Sequence, residues 1–372
     1  MPRAAIIVTF DRLPCAGLGC YGNEWIDTPG FDALAAEGLV FENHIARQVH
    51  GETALVQRPR LQADWIATLR IRGVQTTLLH EPHSDMVIDH AAFETVRDCG
   101  GHDGVNVAAG DLPFARLVQR ATAWLTEPST SDRLLWLSSA GLPDVCRPPE
   151  DALDLYVEEF ADRDIPWEGL SPEEFGRQPA IRAAYLSLLD HWLGELQKAV
   201  LARSEPALLI VLGCEGLIWQ PVPRPTPVPG GLESQRTNPP WLLWSNETAF
   251  LPGRSQLLVQ ISDLPAIVHE WWERLSDFPF PQLPNHAAVA TAGPGETVSV
   301  RTLSEAVVFT QRPTREVPIE PTDVRCFLKP EDPWDLNDVA GTRPDLVSHA
   351  AEQLIGGIEI SPATVAAAPQ TR

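Results

Sequence analysis

The stretch IIVTFDRLPCAGLGCYGNEWIDTPGFDALAAEGLVFEN, residues 6–43, decides how the rest of the chain is read. It continues an apolar, β-branched run, Ala4–Thr9, that carries no charge. Such a run suits a strand buried on both faces rather than one with a wet side. Asp11 stands where the strand runs out, with Arg12 beside it. In an open α/β sheet ligands are met at the carboxyl ends of strands, so Asp11 is a candidate functional carboxylate. Thr28-Pro29-Gly30 then opens a helix over Phe31–Glu37, with proline just inside its start and Gly38 as its stop. Val40–Ile45 returns as a short strand.

Outward from this unit, strands and helices alternate. Leu61–Arg72 reads as a helix stopped by Gly73, Val74–Leu79 as a strand, Leu117–Thr126 as a helix and Leu134–Ser138 as a buried strand. Pro148–Arg177 is acidic and rich in proline and glycine, which predicts loops and short helices. Ile181–Ala202 carries helical periodicity in Ala184, Leu188, Leu189, Trp192, Leu196 and Val200. Ala207–Leu212 is another buried strand, and the proline-rich Gln220–Pro240 a loop or lid. Strands at Trp241–Trp244 and Leu257–Ile261 and a helix at Leu264–Leu275 complete the pattern. The alternation predicts an α/β domain over 1–284, a mainly parallel central sheet flanked by helices. Short strands at Val298–Val300, Ala306–Thr310 and Val324–Leu328, then a helix at Leu346–Ile355, predict a small C-terminal antiparallel α+β subdomain over 285–360. The Ala/Pro/Thr-rich tail, 361–372, is expected to be disordered.

Charge narrows the partners. The 372 residues hold 28 basic and 50 acidic side chains, a net charge of −22. An acidic surface repels the phosphates of nucleic acid, so no nucleic-acid partner is expected. No apolar run approaches the ~18 residues of a membrane span, and no secretory leader is recognisable, so no membrane partner and a cytoplasmic location are expected. The six cysteines lack CxxC pairs or zinc-ligand spacing and are expected to be reduced thiols. There are two lysines in the whole chain, Lys198 and Lys329.

Asp11 with LGCYG (18–22) and IDTPGFDALAAEGLVFEN (26–43) resembles the opening of the sulfatases, within the alkaline phosphatase superfamily. GVQTTLL (73–79), RLLWLSSAGLPDVCRPP (133–149), AYLSLLDHWLGEL (184–196), LLIVLGCEG (208–216) and DPWDLND (332–338) resemble later family segments in family order. The resemblance implies an alkaline phosphatase-like α/β fold. It also implies a sulfate ester hydrolase with three requirements. One is a formylglycine made from Cys or Ser within C/S-x-P/A-x-R. The second is a divalent cation, usually calcium, held by oxygen ligands. The third is Lys and His groups that neutralise the sulfate.

At these positions the chain departs from the family. The nucleophile position falls near Gly51 in RQVHGETAL (47–55), where no Cys or Ser stands and no Arg follows four residues later. Thr53, two residues on, is the candidate substitute hydroxyl. Of the opening pair of metal-binding aspartates Asp11 remains, and Arg12 takes the second place. The second metal-ligand pair falls on Cys214 and Glu215. A family lysine is matched by Glu81 within His80-Glu81-Pro82-His83, a family histidine by Ser139-Ala140-Gly141, and Gln220–Pro240 holds no lysine.

The expected pocket is therefore Asp11, Arg12, His50, Glu52, Thr53, His83 and Glu215, with Arg12 paired to Asp11 or Glu215. No cofactor is expected; the alternative is a divalent cation, calcium in the family, at Asp11, the remnant of the family metal site. The expected function is a catalytically inactive pseudo-sulfatase that binds a small polar or anionic ligand or serves as a scaffold. The alternative is a sulfuric or phosphoric ester hydrolase with a rebuilt site. A third reading, a protein partner met through Trp219–Trp244, requires those tryptophans to be exposed.

Overall fold

The computed structural model describes residues 2–49, 60–61, 64–82, 84, 87–100, 108–143, 146–160, 172–219, 228–247, 252–273, 286–316 and 319–358. The opening stretch forms β1 (Ala4–Arg12), α1 (Pro29–Glu37) and β2 (Leu39–His44). Two-residue strands β3 (Arg60–Leu61) and β5 (Val87–Ile88) bracket α2 (Asp64–Ile71) and β4 (Gln75–His80). Next come β6 (Thr95–Asp98), α3 (Pro113–Thr126), β7 (Arg133–Gly141), α4 (Glu150–Phe160), α5 (Pro172–Leu201) and β8 (Ala207–Glu215). The short α6 (Ser234–Thr237), β9 (Trp241–Ser245), β10 (Gly253–Val259) and α7 (Leu264–Glu273) follow. Strands β11 (Val289–Ala292), β12 (Val298–Arg301), β13 (Glu305–Phe309) and β14 (Val324–Leu328) and helix α8 (Pro344–Ile355) make up the C-terminal part.

Eight strands form one sheet in the order β10-β2-β9-β8-β1-β7-β4-β6. Only β9 runs antiparallel to its neighbours; every other pairing is parallel. β1 lies at the centre, which is why its run is apolar on both faces. Ile6, Val8 and Phe10 pack with Phe31, Phe114, Leu186 and Leu193, on the side of α1, α3 and α5. Ala5 and Ile7 pack with Ile66, Trp136, Ile267 and Trp271, on the side of α2 and α7. The alternation along one strand thus builds two cores. The four C-terminal strands form a separate antiparallel sheet, β11-β12-β13-β14, covered by α8.

Leu61, expected to begin a helix, ends β3, and α2 starts at Asp64. Pro148–Arg177, expected as loops and short helices, contains α4 and the start of α5, a 30-residue helix that continues through Pro179. Proline removes one N–H and disfavours the helix interior. The packing of Ala183, Leu186, Leu189, Leu193 and Leu196 outweighs that cost. Thr28 heads α1 without capping it: its hydroxyl accepts from Gly19 N at 2.8 Å. The first turn is capped instead by Asp190 of α5, which accepts from Gly30 N at 2.9 Å and Phe31 N at 2.8 Å. A Cβ at Gly30 would stand 2.5 Å from the Asp190 carbonyl oxygen, so only glycine allows this approach.

Trp219, Trp241 and Trp244 are all buried, so the exposed tryptophan surface that a partner at 219–244 requires is not formed. No helix among the described residues is long and apolar enough to cross a membrane.

Candidate functional site

Four adjacent strands, β8, β1, β7 and β4, bring their carboxyl ends to one place, and the predicted carboxylates lie there. Asp11 ends β1 and is buried; Glu215 ends β8 and is buried; Arg12 is in register with both Glu215 and Gly141. Beyond β4, Glu81 is buried, and the end of β7 supplies Ser138 and Ser139. The parallel register produces this convergence.

The polar groups are bonded to one another. Ser84 Oγ donates to Asp11 Oδ1 at 2.9 Å and lies 2.9 Å from Ser138 Oγ. Glu81 accepts from Ser139 Oγ at 2.6 Å and from Ala140 N at 2.9 Å. Glu81 and Ser139 stand where the resemblance places a lysine and a histidine, so these two substitutions satisfy each other. Glu215 Oε1 accepts from both Nε (3.0 Å) and Nη2 of Arg236, which α6 presents. Gln220–Pro240 holds no lysine, and the cation it does bring to the site is this arginine. Ser84 and Ser138 are site residues that the sequence does not mark, because small hydroxyls carry no signal in the chain.

Helix α6 is fixed from two directions. Gly216 N donates to Arg236 O at 2.8 Å, and a Cβ on Gly216 would lie 2.0 Å from Gln235 O. From the other side Asp335 accepts from Ser234 N (2.5 Å) and Oγ (2.8 Å), and from Lys329 Nζ (2.5 Å). Lys329 and Asp335 are both buried; burial lowers the lysine's pKa, against the opposing pull of Asp335. The C-terminal sheet thereby holds the helix that neutralises Glu215. It also holds the chain leading to residue 50: Val49 N donates to Ala292 O and Ala292 N to Arg47 O, at 2.8 and 2.9 Å.

Of the expected pocket, Asp11, Arg12 and Glu215 converge as described. His50, Gly51, Glu52, Thr53 and His83 lie outside the described residues, as does the tail 361–372. Cys214, beside Glu215, has its thiol pKa pushed well up by burial and by the carboxylates of Asp11 and Glu215. At neutral pH it is a thiol rather than a thiolate nucleophile.

Among the described residues, the groups present do not make a site for a hard divalent cation. It needs several oxygen donors directed at one point. Here a guanidinium occupies Glu215, Ser84 engages Asp11, and among the described residues no three His, Cys, Asp or Glu side chains form a metal-binding group.

Neither a protein-family model nor a curated protein sequence matches the chain. Solved structures do. A protein from Bacteroides thetaiotaomicron, from work on a locus for the metabolism of multiple glycosaminoglycans, aligns with a TM-score of 0.67 at 12% identity, over 95% of this chain and 96% of its own. A glycosaminoglycan 2-O-sulfatase aligns at 0.63 and 12%, over 95% and 91%. The fold is that of a sulfatase. The phosphonate monoester hydrolase of Agrobacterium radiobacter aligns equally well, at 0.65 and 12% over 95% of both chains, so the same fold is found outside the sulfatases.

Proposed function

We propose that this chain descends from the sulfatases and is a pseudo-sulfatase. It keeps the framework and uses it to bind a small polar ligand or to scaffold, without hydrolysing sulfate esters. The observation that carries this reading is the Glu215–Arg236 pair. A carboxylate at the second metal position is neutralised by a fixed side chain, whose guanidinium gives two N–H groups to one carboxylate oxygen, a charge-assisted bond stronger than a neutral one. Glu81, facing the same strand ends, adds negative charge where a sulfate would need positive. The acidic surface supports a partner other than nucleic acid.

One observation favours the alternative, a rebuilt ester hydrolase. Ser84 places a hydroxyl on Asp11 at the strand ends, and Thr53 is a second candidate hydroxyl. The deciding experiment is calorimetric titration of calcium, magnesium, manganese and zinc into the native protein and Asp11→Ala, followed by turnover of aryl sulfates and phosphate mono- and diesters. The pseudoenzyme reading expects no heat and no turnover. Micromolar binding abolished in Asp11→Ala, or turnover lost in Thr53→Ala or Ser84→Ala, overturns it.

A further inference from the structure

A second cavity opens between the loop after β1, the chain after β8 and the segment before α8. It holds about 390 Å³, within the range of small-ligand sites. Its walls are aromatic: Tyr21, Trp25, Trp219 and Trp334. The Trp25 and Trp219 rings are 6.0 Å apart and inclined at 48°, so they do not stack flat on each other. Trp334 is 41% exposed, the highest value among the three indoles.

The polar lining tells which ligand the rings suit. Asn23 accepts from Trp25 N and Ile26 N and donates to Ala16 O, which fixes the loop. Gln235 Oε1 accepts from Trp219 N at 2.8 Å. The Asn23 amide is committed to backbone at both ends and Gln235 at its oxygen, and a sugar, which needs several directional hydrogen bonds, finds few. Glu24 is different. Its carboxylate is exposed, lines the cavity and has no ion-pair partner among the described residues. Three indoles and one carboxylate match a cation that carries apolar surface, the chemistry by which indole rings hold quaternary ammonium groups; the Tyr21 ring already has the Arg254 guanidinium over it, 5.8 Å from the centroid and paired with Glu42. The net charge of −22 draws cations toward the molecule.

We propose that the cavity walled by Trp25, Trp219 and Trp334 is a binding site for a quaternary or fully alkylated ammonium group, with Glu24 as counter-charge. No residue lining the cavity belongs to the Asp11–Glu215 network, and the proposal does not depend on whether that network is catalytic.

The test is titration of choline and tetramethylammonium, at constant ionic strength, against 3,3-dimethylbutan-1-ol, which has choline's shape without its charge. Calorimetry and tryptophan fluorescence are the readouts. Choline is expected to bind saturably and at least tenfold more tightly than the neutral alcohol. Glu24→Gln, on the surface and able to fold, is expected to weaken choline at least fivefold, and Trp25→Leu to abolish binding. Equal affinity for the alcohol overturns the proposal. So does an unchanged affinity in a folded Glu24→Gln, saturable binding of a neutral monosaccharide in choline's place, or no saturable binding of either cation. None of these outcomes bears on the metal titration.

Discussion

Glu215 shows how much one side chain can reveal and how much its partner withholds. Its place at the end of β8 follows from the apolar run before it. Its state does not, because Arg236 is 21 residues further on and reaches it only through the fold of α6. Removing one partner of such a buried pair leaves the other charge uncompensated, which costs about 3–5 kcal/mol, whereas replacing both by apolar groups of similar volume is often neutral. Arg236→Ala is therefore expected to lower unfolding free energy by about that amount in urea titrations, and Glu215→Leu with Arg236→Met to recover most of it. If Arg236→Ala is neutral, the pair does not define the site. Asp11 was legible for the same reason as Glu215, as a charge closing a buried strand. Ser84 and Ser138 were not, since a hydroxyl gains meaning only from what lies within about 3 Å of it.

Elements carry their own tests. The cap of helix α1 is Asp190, supplied by α5. Burial raises the Asp190 pKa from 3.8 to about 6, against the pull of the Gly30 and Phe31 amides. A carboxyl whose folded pKa is raised contributes stability that is fully present below its unfolded pKa and lost as pH rises through the folded one. Between pH 4.5 and 7 the native protein is thus expected to lose about 2 kcal/mol relative to Asp190→Asn, read as the difference between urea curves of the two proteins. A constant difference would mean that Asp190 titrates normally. Gly216 is the second such point. Gly216→Ala pushes a Cβ into the backbone of α6, and overpacking of this kind costs about 1–3 kcal/mol. The displaced Arg236 adds to that. Loss of stability in Gly216→Ala with none in Gly17→Ala, where a flexible Leu186 methyl is the nearest obstacle at 2.6 Å, would show that backbone contact is the cause.

The whole molecule is governed by its charge and by the docking of its two sheets. At −22 the compact state repels itself, and salt screens exposed charges over a length that falls from about 30 Å at 0.01 M to about 8 Å at 0.15 M. The melting temperature is expected to rise over that range of sodium chloride; a flat or falling curve would mean that attractive ion pairs dominate instead. Buried Lys329, bonded to Asp335, ties the C-terminal sheet to α6. By itself the sequence determined the strand–loop–helix opening, the alternation that gives a mainly parallel sheet, the small antiparallel sheet after it and the carboxylates at the strand ends. These follow from hydrophobic periodicity and from turn residues a few positions apart, which are local properties of the chain. Only the tertiary structure decided that Asp190 caps α1, that Glu81 and Ser139 satisfy each other, that Arg236 occupies Glu215 and that aromatic residues from three distant segments wall one cavity. Each of those is a contact between residues far apart in sequence, fixed by strand register and helix packing, and no periodicity encodes it.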